Sequence, residues 1–83
     1  MIELYSQPGC GQCIVTERWF DKRGLVAGQD YTVHNVRENP EAAQAVRDMG
    51  YDGTPVVRVD ENTHWKGFQP ALLATLAEGA PVY

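Results

Sequence analysis

Apolar residues recur along the chain with a period near two in some segments and between three and four in others, the periods of strands and helices. The segment Ile2–Ser6 predicts a first strand, and the Pro8-Gly9 pair just after it is a turn signal. A helical pattern follows from Cys13, with Phe20 on the same face, and Gly24 is placed to end that helix. The first part of the chain therefore predicts a strand, a turn and a helix.

The middle of the chain continues this alternation. Residues 30–36 predict a second strand, and Asn39 followed by Pro40 supplies the cap and the first position expected of a second helix. Gly50 closes that helix, and the β-branched residues of segment 56–59 predict a central strand.

The last part of the chain predicts a hairpin and a third helix. A turn at residues 60–62 leads into a strand over Thr63–Lys66, and Pro70 opens a helix that stops near Gly79. The two strand–helix steps favour parallel pairing, and the late hairpin adds antiparallel strands. We therefore expect an α/β fold of order βαβαββα, a four-stranded mixed sheet with three helices on its two faces. Residues 1–83 are expected to form one domain, because so short a chain has no room for a second core.

Composition narrows the possible functions. The chain has 7 Lys and Arg against 11 Asp and Glu, a net charge of −4, and lacks the clustered basic face that nucleic-acid phosphates require. Its first residues lack the basic and apolar regions of a signal peptide, and no apolar run is long enough to cross a membrane. We expect a cytoplasmic monomer that binds neither nucleic acid nor membrane. In that compartment a permanent disulfide is disfavoured, so the two cysteines are better explained as a reversible or metal-binding pair.

The two cysteines, Cys10 and Cys13, stand where the first strand gives way to a helix. Their spacing brings the sulfurs close enough to form a disulfide with little backbone motion. Unpaired N–H groups and the helix dipole favour a thiolate on the first cysteine, and such sites lower a thiol pKa from about 8.5 to roughly 3.5–7.5. Cys10 is therefore predicted to be the exposed nucleophile and Cys13 the shielded thiol that resolves the mixed disulfide.

Three alternative roles for the two cysteines fit the sequence less well. A zinc site needs four ligands, and His34 and His64 do not stand at finger spacing, so no metal is predicted. Inert core cysteines fit poorly with a turn and a helix start, which favour exposure. A structural disulfide closing so short a loop would restrict the unfolded chain little. The reversible redox pair remains the preferred interpretation.

The Thr54-Pro55 pair precedes the predicted central strand. A proline there cannot donate to a ladder, so it belongs at the first residue of the strand. The alternative is a cis bond that leaves the backbone of Thr54 free to pair with a bound substrate strand. The sequence leaves both possibilities open.

Several of these motifs together resemble the NrdH-redoxins, glutaredoxin-sized proteins with thioredoxin-like behaviour. The resemblance rests on Cys10-x-x-Cys13, Gly50-Tyr51-x-x-x-Pro55-Val56-Val57 and Trp65-x-Gly67-Phe68-x-Pro70, in register over nearly the whole chain. It implies a thioredoxin/glutaredoxin-like fold and a protein-disulfide reductase or electron-transfer redoxin. It also implies no bound cofactor, since the Cys10–Cys13 disulfide itself is the redox centre.

The resemblance further implies partners and site residues. Family members reduce the disulfide of the large subunit of ribonucleotide reductase and are re-reduced by NADPH-dependent thioredoxin reductase. Pro55 would be a cis-proline facing the dithiol. Trp65 is expected to contact partners, whereas Phe68 is expected mainly to pack. The residues expected to bind substrate or shape the site are Gly11, Gln12, Thr54, Pro55, Trp65, Gly67 and Phe68.

The sequence also departs from the family pattern. Lys66 stands where Ser is frequent, Gln69 where Arg is usual, and Ala71 where an acidic residue is common. If the usual Arg fixes the loop by ion pairing, Gln69 weakens that tie.

Two other functions stay open. A glutathione-dependent glutaredoxin typically has paired glycines after the last strand and a cation near the dithiol, where this chain has Gly67-Phe68 and Gln7. A redox-sensing module resembling the Spx and arsenate-reductase family would need an inserted helical subdomain, which 83 residues cannot hold. The NrdH-type electron donor is therefore ranked first.

Overall fold

A computed structural model describes residues 2–79, with side chains up to residue 76. Its elements are β1 (Ile2–Ser6), α1 (Gly11–Lys22), β2 (Tyr31–Asn35), α2 (Pro40–Asp48), β3 (Val56–Asp60), β4 (Thr63–Lys66) and α3 (Pro70–Gly79). The predicted order of strands and helices is confirmed. None of the helices within residues 2–79 has the length and apolar character needed to cross a bilayer.

The four strands form one mixed sheet in the order β2-β1-β3-β4. β1 pairs in parallel with β2 and antiparallel with β3, which in turn pairs antiparallel with β4. The predicted mixed sheet is confirmed, but the expectation of parallel pairing from the second strand–helix step is wrong. β3 does not neighbour β2: residues 49–55 deliver the chain to the other side of β1, with Val56 opposite Tyr5, so that β3 begins where β1 ends.

The sheet has a hydrophobic core on each face. Successive residues of β1 point to opposite faces, so Leu4 enters one core and Tyr5 the other. Phe20 of α1 and Leu73 of α3 pack on the Leu4 face, and Val46 of α2 packs on the Tyr5 face. Full burial of each such side chain contributes about 1.5–3 kcal/mol, so the two cores hold the helices against the sheet.

Helix ends follow from local chemistry. The Asn39 side chain accepts hydrogen bonds from the backbone N–H groups of Glu41 and Ala42, at 3.1 and 3.2 Å, and Pro40 holds the first helical position. Gly50 ends α2 with φ of 92°, a conformation that residues with a Cβ rarely adopt. The predicted boundaries of α2 are thereby confirmed.

The first helix begins two residues earlier than its apolar pattern predicts. α1 starts at Gly11, and Cys10 is its N-cap residue. Gly11 and Gln12 are exposed, so they carry no hydrophobic signal of the helical turn to which they belong. This start confirms the helix N-terminus predicted at Cys10, and it places a sulfur atom at the cap itself.

Candidate active site

Cys10 and Cys13 are joined by a disulfide at the N-terminus of α1, with 5.2 Å between their Cα atoms. The Cys10 Sγ accepts a hydrogen bond from the backbone N–H of Cys13 at 3.1 Å, as an oxygen does in an ordinary helix cap. Cys10 is partly exposed, whereas Cys13 is only 1% exposed. One sulfur can therefore meet a partner molecule while the other stays covered.

The electrostatics of this helix end favour negative charge on the reduced Cys10. The first turn of α1 contains no acidic residue that would oppose such a charge. The unpaired N–H groups and the helix dipole place partial positive charge at the cap. A thiolate at Cys10 would gain from both, which fits a nucleophilic sulfur.

The Thr54–Pro55 peptide bond is cis, as the family resemblance implies. Pro55 is buried, and it leads directly into β3 beside the end of β1, the end of the sheet from which the chain continues to Cys10. Within residues 2–79, neither backbone group of Thr54 forms a hydrogen bond, and its buried Oγ1 also lacks a partner. The backbone N–H and C=O groups of Thr54, next to the proline, are therefore available to a bound segment.

A cavity of about 290 Å³ lies next to Thr54. Its lining includes Gln7 and Val36 and, from the end of α2 onward, Arg47 and Tyr51. Sequence reasoning looked for a cation close to the dithiol along the chain, where it finds only the neutral Gln7, and it therefore did not identify Arg47. Arg47 lies 37 residues along the chain from Cys10, and only the fold brings its positive charge to this wall of the cavity.

Gln12 links the dithiol loop to the turn before α3. Its side-chain Oε1 accepts a hydrogen bond from the backbone N–H of Phe68 at 3.0 Å, across 56 residues of sequence. Gly67 has φ of 89°, and a Cβ added there would lie 3.2 Å from the same oxygen. The structure thus brings together three of the predicted site-shaping residues, Gln12, Gly67 and Phe68. Gly11 lies exposed at the first position of α1.

The two aromatic residues near this turn have packing roles. Trp65 is only 6% exposed and belongs to the core cluster that contains Leu4 and Phe20, and Phe68 packs against that cluster while half-buried. The expected contact between Trp65 and a partner stays a prediction, and one that this burial argues against. The main packing role expected of Phe68 agrees with its position.

The residues that depart from the family pattern form their own contacts. Gln69, at the position where the family usually has Arg, donates a neutral hydrogen bond inside the turn to the backbone carbonyl of Lys66 at 2.9 Å. The Lys66 ammonium pairs with exposed Asp52 at 2.7 Å, and this hydrogen bond lowers the pKa of Asp52. The Lys66–Asp52 pair connects β4 with the segment that precedes the cis-proline.

Among the described residues 2–79, no group of three or more His, Cys, Asp or Glu side chains is placed to hold a metal ion.

Comparison with known proteins places this geometry in a family. The Glutaredoxin family model matches residues 2–65. The glutaredoxin-like protein NrdH of Escherichia coli K12 is 36% identical over 75 residues, which cover 90% of this chain and 86% of that protein. NrdH of Lactococcus lactis strain MG1363 is 31% identical over 77 residues, 93% of this chain and all of that protein.

Solved structures agree with the sequence matches. The structure of the Escherichia coli NrdH-redoxin, described as a glutaredoxin-like protein with a thioredoxin-like activity profile, superposes with a TM-score of 0.77. The match has 33% sequence identity and covers 99% of this chain and 97% of that one. With its dithiol at a helix cap and its cis-proline, the chain belongs to the glutaredoxin family as an NrdH-redoxin, a thiol–disulfide oxidoreductase of thioredoxin fold whose redox pair is Cys10 and Cys13.

Proposed function

We propose that this protein donates electrons to the large subunit of ribonucleotide reductase and is re-reduced by NADPH-dependent thioredoxin reductase. The observation that carries the proposal is the pairing of a partly exposed Cys10 at the α1 cap with a Cys13 that is 1% exposed. Such a pair suits repeated exchange with protein disulfides. The thioredoxin-like activity profile stated for the related Escherichia coli NrdH-redoxin supports this choice of reductant.

The reaction proceeds in two exchanges. The Cys10 thiolate attacks one sulfur of the substrate disulfide, forms a mixed disulfide and releases the other substrate sulfur as a thiolate. Cys13 then attacks the Cys10 Sγ, closes the Cys10–Cys13 disulfide and releases the second substrate sulfur. Two protein sulfurs are oxidised and two substrate sulfurs are reduced.

Recognition of the substrate uses the unpaired edge at Thr54. An extended substrate segment can hydrogen-bond to the free N–H and C=O groups of Thr54, as an added strand does at a sheet edge. Such a segment would run between the cavity beside Thr54 and the Cys10 sulfur. Backbone pairing of this kind tolerates many sequences, which suits a carrier that meets both a reductase and an acceptor.

A second candidate, a glutathione-dependent glutaredoxin, is favoured by one observation. Arg47 lines the cavity beside Thr54 and offers a cation to a ligand carboxylate. Against it, the backbone N–H of Phe68 is already bonded to Gln12, so this donor is not free for a small anionic ligand. We rank the glutathione-dependent activity second.

A reductase comparison tests the two candidates. The oxidised protein and a disulfide substrate such as insulin are supplied with NADPH and thioredoxin reductase in one reaction, and with NADPH, glutathione and glutathione reductase in another. We expect NADPH oxidation only in the first reaction. Turnover only in the second would overturn the proposal in favour of the glutathione-dependent activity, and turnover in neither would remove both.

Serine variants test the roles of the two sulfurs. Cys10→Ser should abolish activity, because no thiolate remains at the helix cap. Cys13→Ser should accumulate a covalent complex with a ribonucleotide reductase large subunit, detected by non-reducing electrophoresis and released by dithiothreitol. Multiple turnovers by Cys13→Ser on protein disulfides would contradict the assigned order.

We also place the protein in the cytoplasm, as a monomer. A reversible dithiol requires a reducing compartment to be recycled, which supports that location. Sedimentation of the purified chain tests the monomer.

A further inference from the structure

A second cavity, of about 310 Å³, opens between the first turns of α1 and the ends of β1 and β2. Cys13 and Glu17 both contribute to its lining. Cys13, which carries the covered sulfur, and Glu17, whose carboxyl group belongs to none of the sequence motifs, therefore border the same space.

The covered sulfur needs a proton acceptor. To resolve a mixed disulfide, Cys13 must react as a thiolate, but at 1% exposure it has almost no contact with bulk water. The helix cap does not help it directly, because the capping interaction is made by the Cys10 Sγ. A base inside the fold could take the proton of the Cys13 thiol in place of bulk water.

Glu17 stands where such a base is needed. It follows Cys13 by four residues on the same face of α1, a spacing that puts Cβ atoms roughly 5–6 Å apart. Long side chains on helices lean toward the preceding turn, which for Glu17 is the turn of Cys13. Within residues 2–79, no Lys, Arg or His forms an ion pair with the Glu17 carboxylate.

Partial burial, and then the Asp21 carboxylate one turn further on, raise the pKa of Glu17 above its usual value. A carboxylate with a raised pKa is a stronger base, which improves proton transfer from a thiol.

We propose that Glu17 is the general base of the resolving step, accepting the proton of the Cys13 thiol directly or through one water molecule in the cavity. The S–H bond of Cys13 breaks and its proton passes to the Glu17 carboxylate. The Cys13 sulfur bonds to the Cys10 Sγ, and the bond from Cys10 to the substrate sulfur breaks, leaving its electron pair on the substrate thiolate. Glu17 then returns the proton to solvent. The inference rests on the proposed order in which Cys10 attacks first.

Few other charges face Glu17. Asp21 lies on the same helix, and Tyr31 at the start of β2 lies within electrostatic range, with its own pKa raised by burial first and then by Asp21 and Glu17. The remaining lining of the cavity from β1 and the loop after it (Ser6, Gln7, Pro8 and Gly9) and from β2 (Val33 and Asn35) has no ionisable side chain. The acid limb of the resolving step should therefore follow the protonation of Glu17.

A single-turnover reaction with dithiobis(nitrobenzoate) tests the proposal. The reduced protein is mixed with one equivalent of the reagent, and absorbance follows two releases of thionitrobenzoate. The first release reports attack by Cys10, and the second reports resolution by Cys13. We expect Glu17→Gln to slow the second release by about a hundredfold near neutral pH, the low end of general-base effects, while the first stays within about twofold.

Whether Glu17→Gln slows or speeds the second release distinguishes a Glu17 that acts as a base from one that acts only through its negative charge. If Glu17 acted only through its negative charge, Glu17→Gln would favour the Cys13 thiolate and speed the second release. A second release that is unchanged or faster in Glu17→Gln overturns the proposal. Partial recovery in Glu17→Asp, which keeps the carboxylate on a shorter chain, is expected of a base.

Asp21→Asn is the matched control. It removes the same charge one turn further along α1, from a residue that does not line the cavity. We expect its second release to keep the wild-type rate within about twofold at pH 8, and its acid limb to move to lower pH because a contribution to the raised pKa of Glu17 is lost. Equal slowing by Asp21→Asn and Glu17→Gln would overturn the proposal.

The assay contains neither reductase nor ribonucleotide reductase, so it does not depend on the proposed partners. Loss of the first release in the wild type would contradict the assigned roles of the two cysteines. A normal first release together with an unaffected second release in Glu17→Gln would overturn the role of Glu17 alone.

Discussion

The contact between Gln12 and the Gly67-Phe68 turn can be tested by adding one methyl group. In Gly67→Ala the new Cβ would lie 3.2 Å from Gln12 Oε1, and it would sit on a backbone with φ of 89°. The amide oxygen must then move by a few tenths of an ångström. That movement weakens the 3.0 Å hydrogen bond it accepts from the Phe68 N–H.

Two separate costs make up the expected loss of stability. Placing a Cβ on a left-handed backbone costs about 1–2 kcal/mol. Loss of the bond between Gln12 and Phe68 costs about 0.5–1.5 kcal/mol. Together they predict a decrease of roughly 1.5–3.5 kcal/mol in the free energy of unfolding of the oxidised protein, or a fall in Tm of about 10–20 °C for a domain of this size.

Gly50→Ala is the matched control. Gly50 has φ of 92°, and a Cβ there would meet no atom within 4 Å, so the variant carries the backbone cost alone. The reduced entropy of the unfolded chain in a Gly-to-Ala change is shared by both variants and cancels in the comparison.

Urea unfolding of the two oxidised variants, each with and without Gln12→Ala, gives the decisive measurement. We expect Gly67→Ala to cost more than Gly50→Ala by about 0.5–1.5 kcal/mol, and that excess to disappear when Gln12 is truncated. Equal losses in the two single variants would refute the idea that Gln12 is held against the turn.

Two further predictions concern stability. Asn39→Ala removes the cap of α2 and should lower the free energy of unfolding, measured with urea, by about 1 kcal/mol. The rate of the first thionitrobenzoate release, measured by stopped flow, should not change, and a slower release would contradict a purely structural role. Glu17→Gln should stabilise the protein at pH 7 more than at pH 4. The raised folded pKa of Glu17 means that its favourable contribution is present below the usual value of 4.5 and is lost as pH rises through the folded value. Thermal unfolding at both pH values measures this, and a difference between variant and wild type that does not change with pH would contradict it.

The parts of the fold that could be predicted from sequence are those with local causes. Asn39 and Pro40 mark the start of α2 because a cap bonds to N–H groups two and three residues away. The apolar pattern of α1 begins only at Cys13, because Gly11 and Gln12 are exposed, but the turn and the cysteine spacing predict the helix N-terminus at Cys10, and this is confirmed. Local patterns report burial, and a polar first turn gives no such signal.

The direction of β3 could not be predicted for a different reason. A strand that follows a helix runs parallel to the earlier strands only if the chain first returns to the end of the sheet where those strands begin. Here the chain re-enters the sheet with Val56 opposite Tyr5, at the end where β1 finishes, so β3 runs antiparallel to β1. The same non-local placement brings Phe68 to Gln12, Arg47 to the cavity beside Thr54, and β1 and β2 residues to the cavity of Cys13. The dithiol itself was predictable because its two members and their helix lie together in sequence.

The position at which α1 begins determines the direction of every functional group in its first two turns. Gln12 points to the turn before α3, Cys13 is covered within the fold, and Glu17 lines the same cavity as Cys13. Thr16 is fully buried and donates a hydrogen bond to the carbonyl of Gln12 at 2.8 Å, so its side chain marks the face of α1 that is turned toward the protein interior. Because an α-helix turns about 100° per residue, a shift of one residue in its start would rotate all of these side chains away from their partners. The Cys10 cap thus sets the phase of the helix as well as the charge at its tip, and the nucleophile, the resolving thiol and its base depend on that same cap.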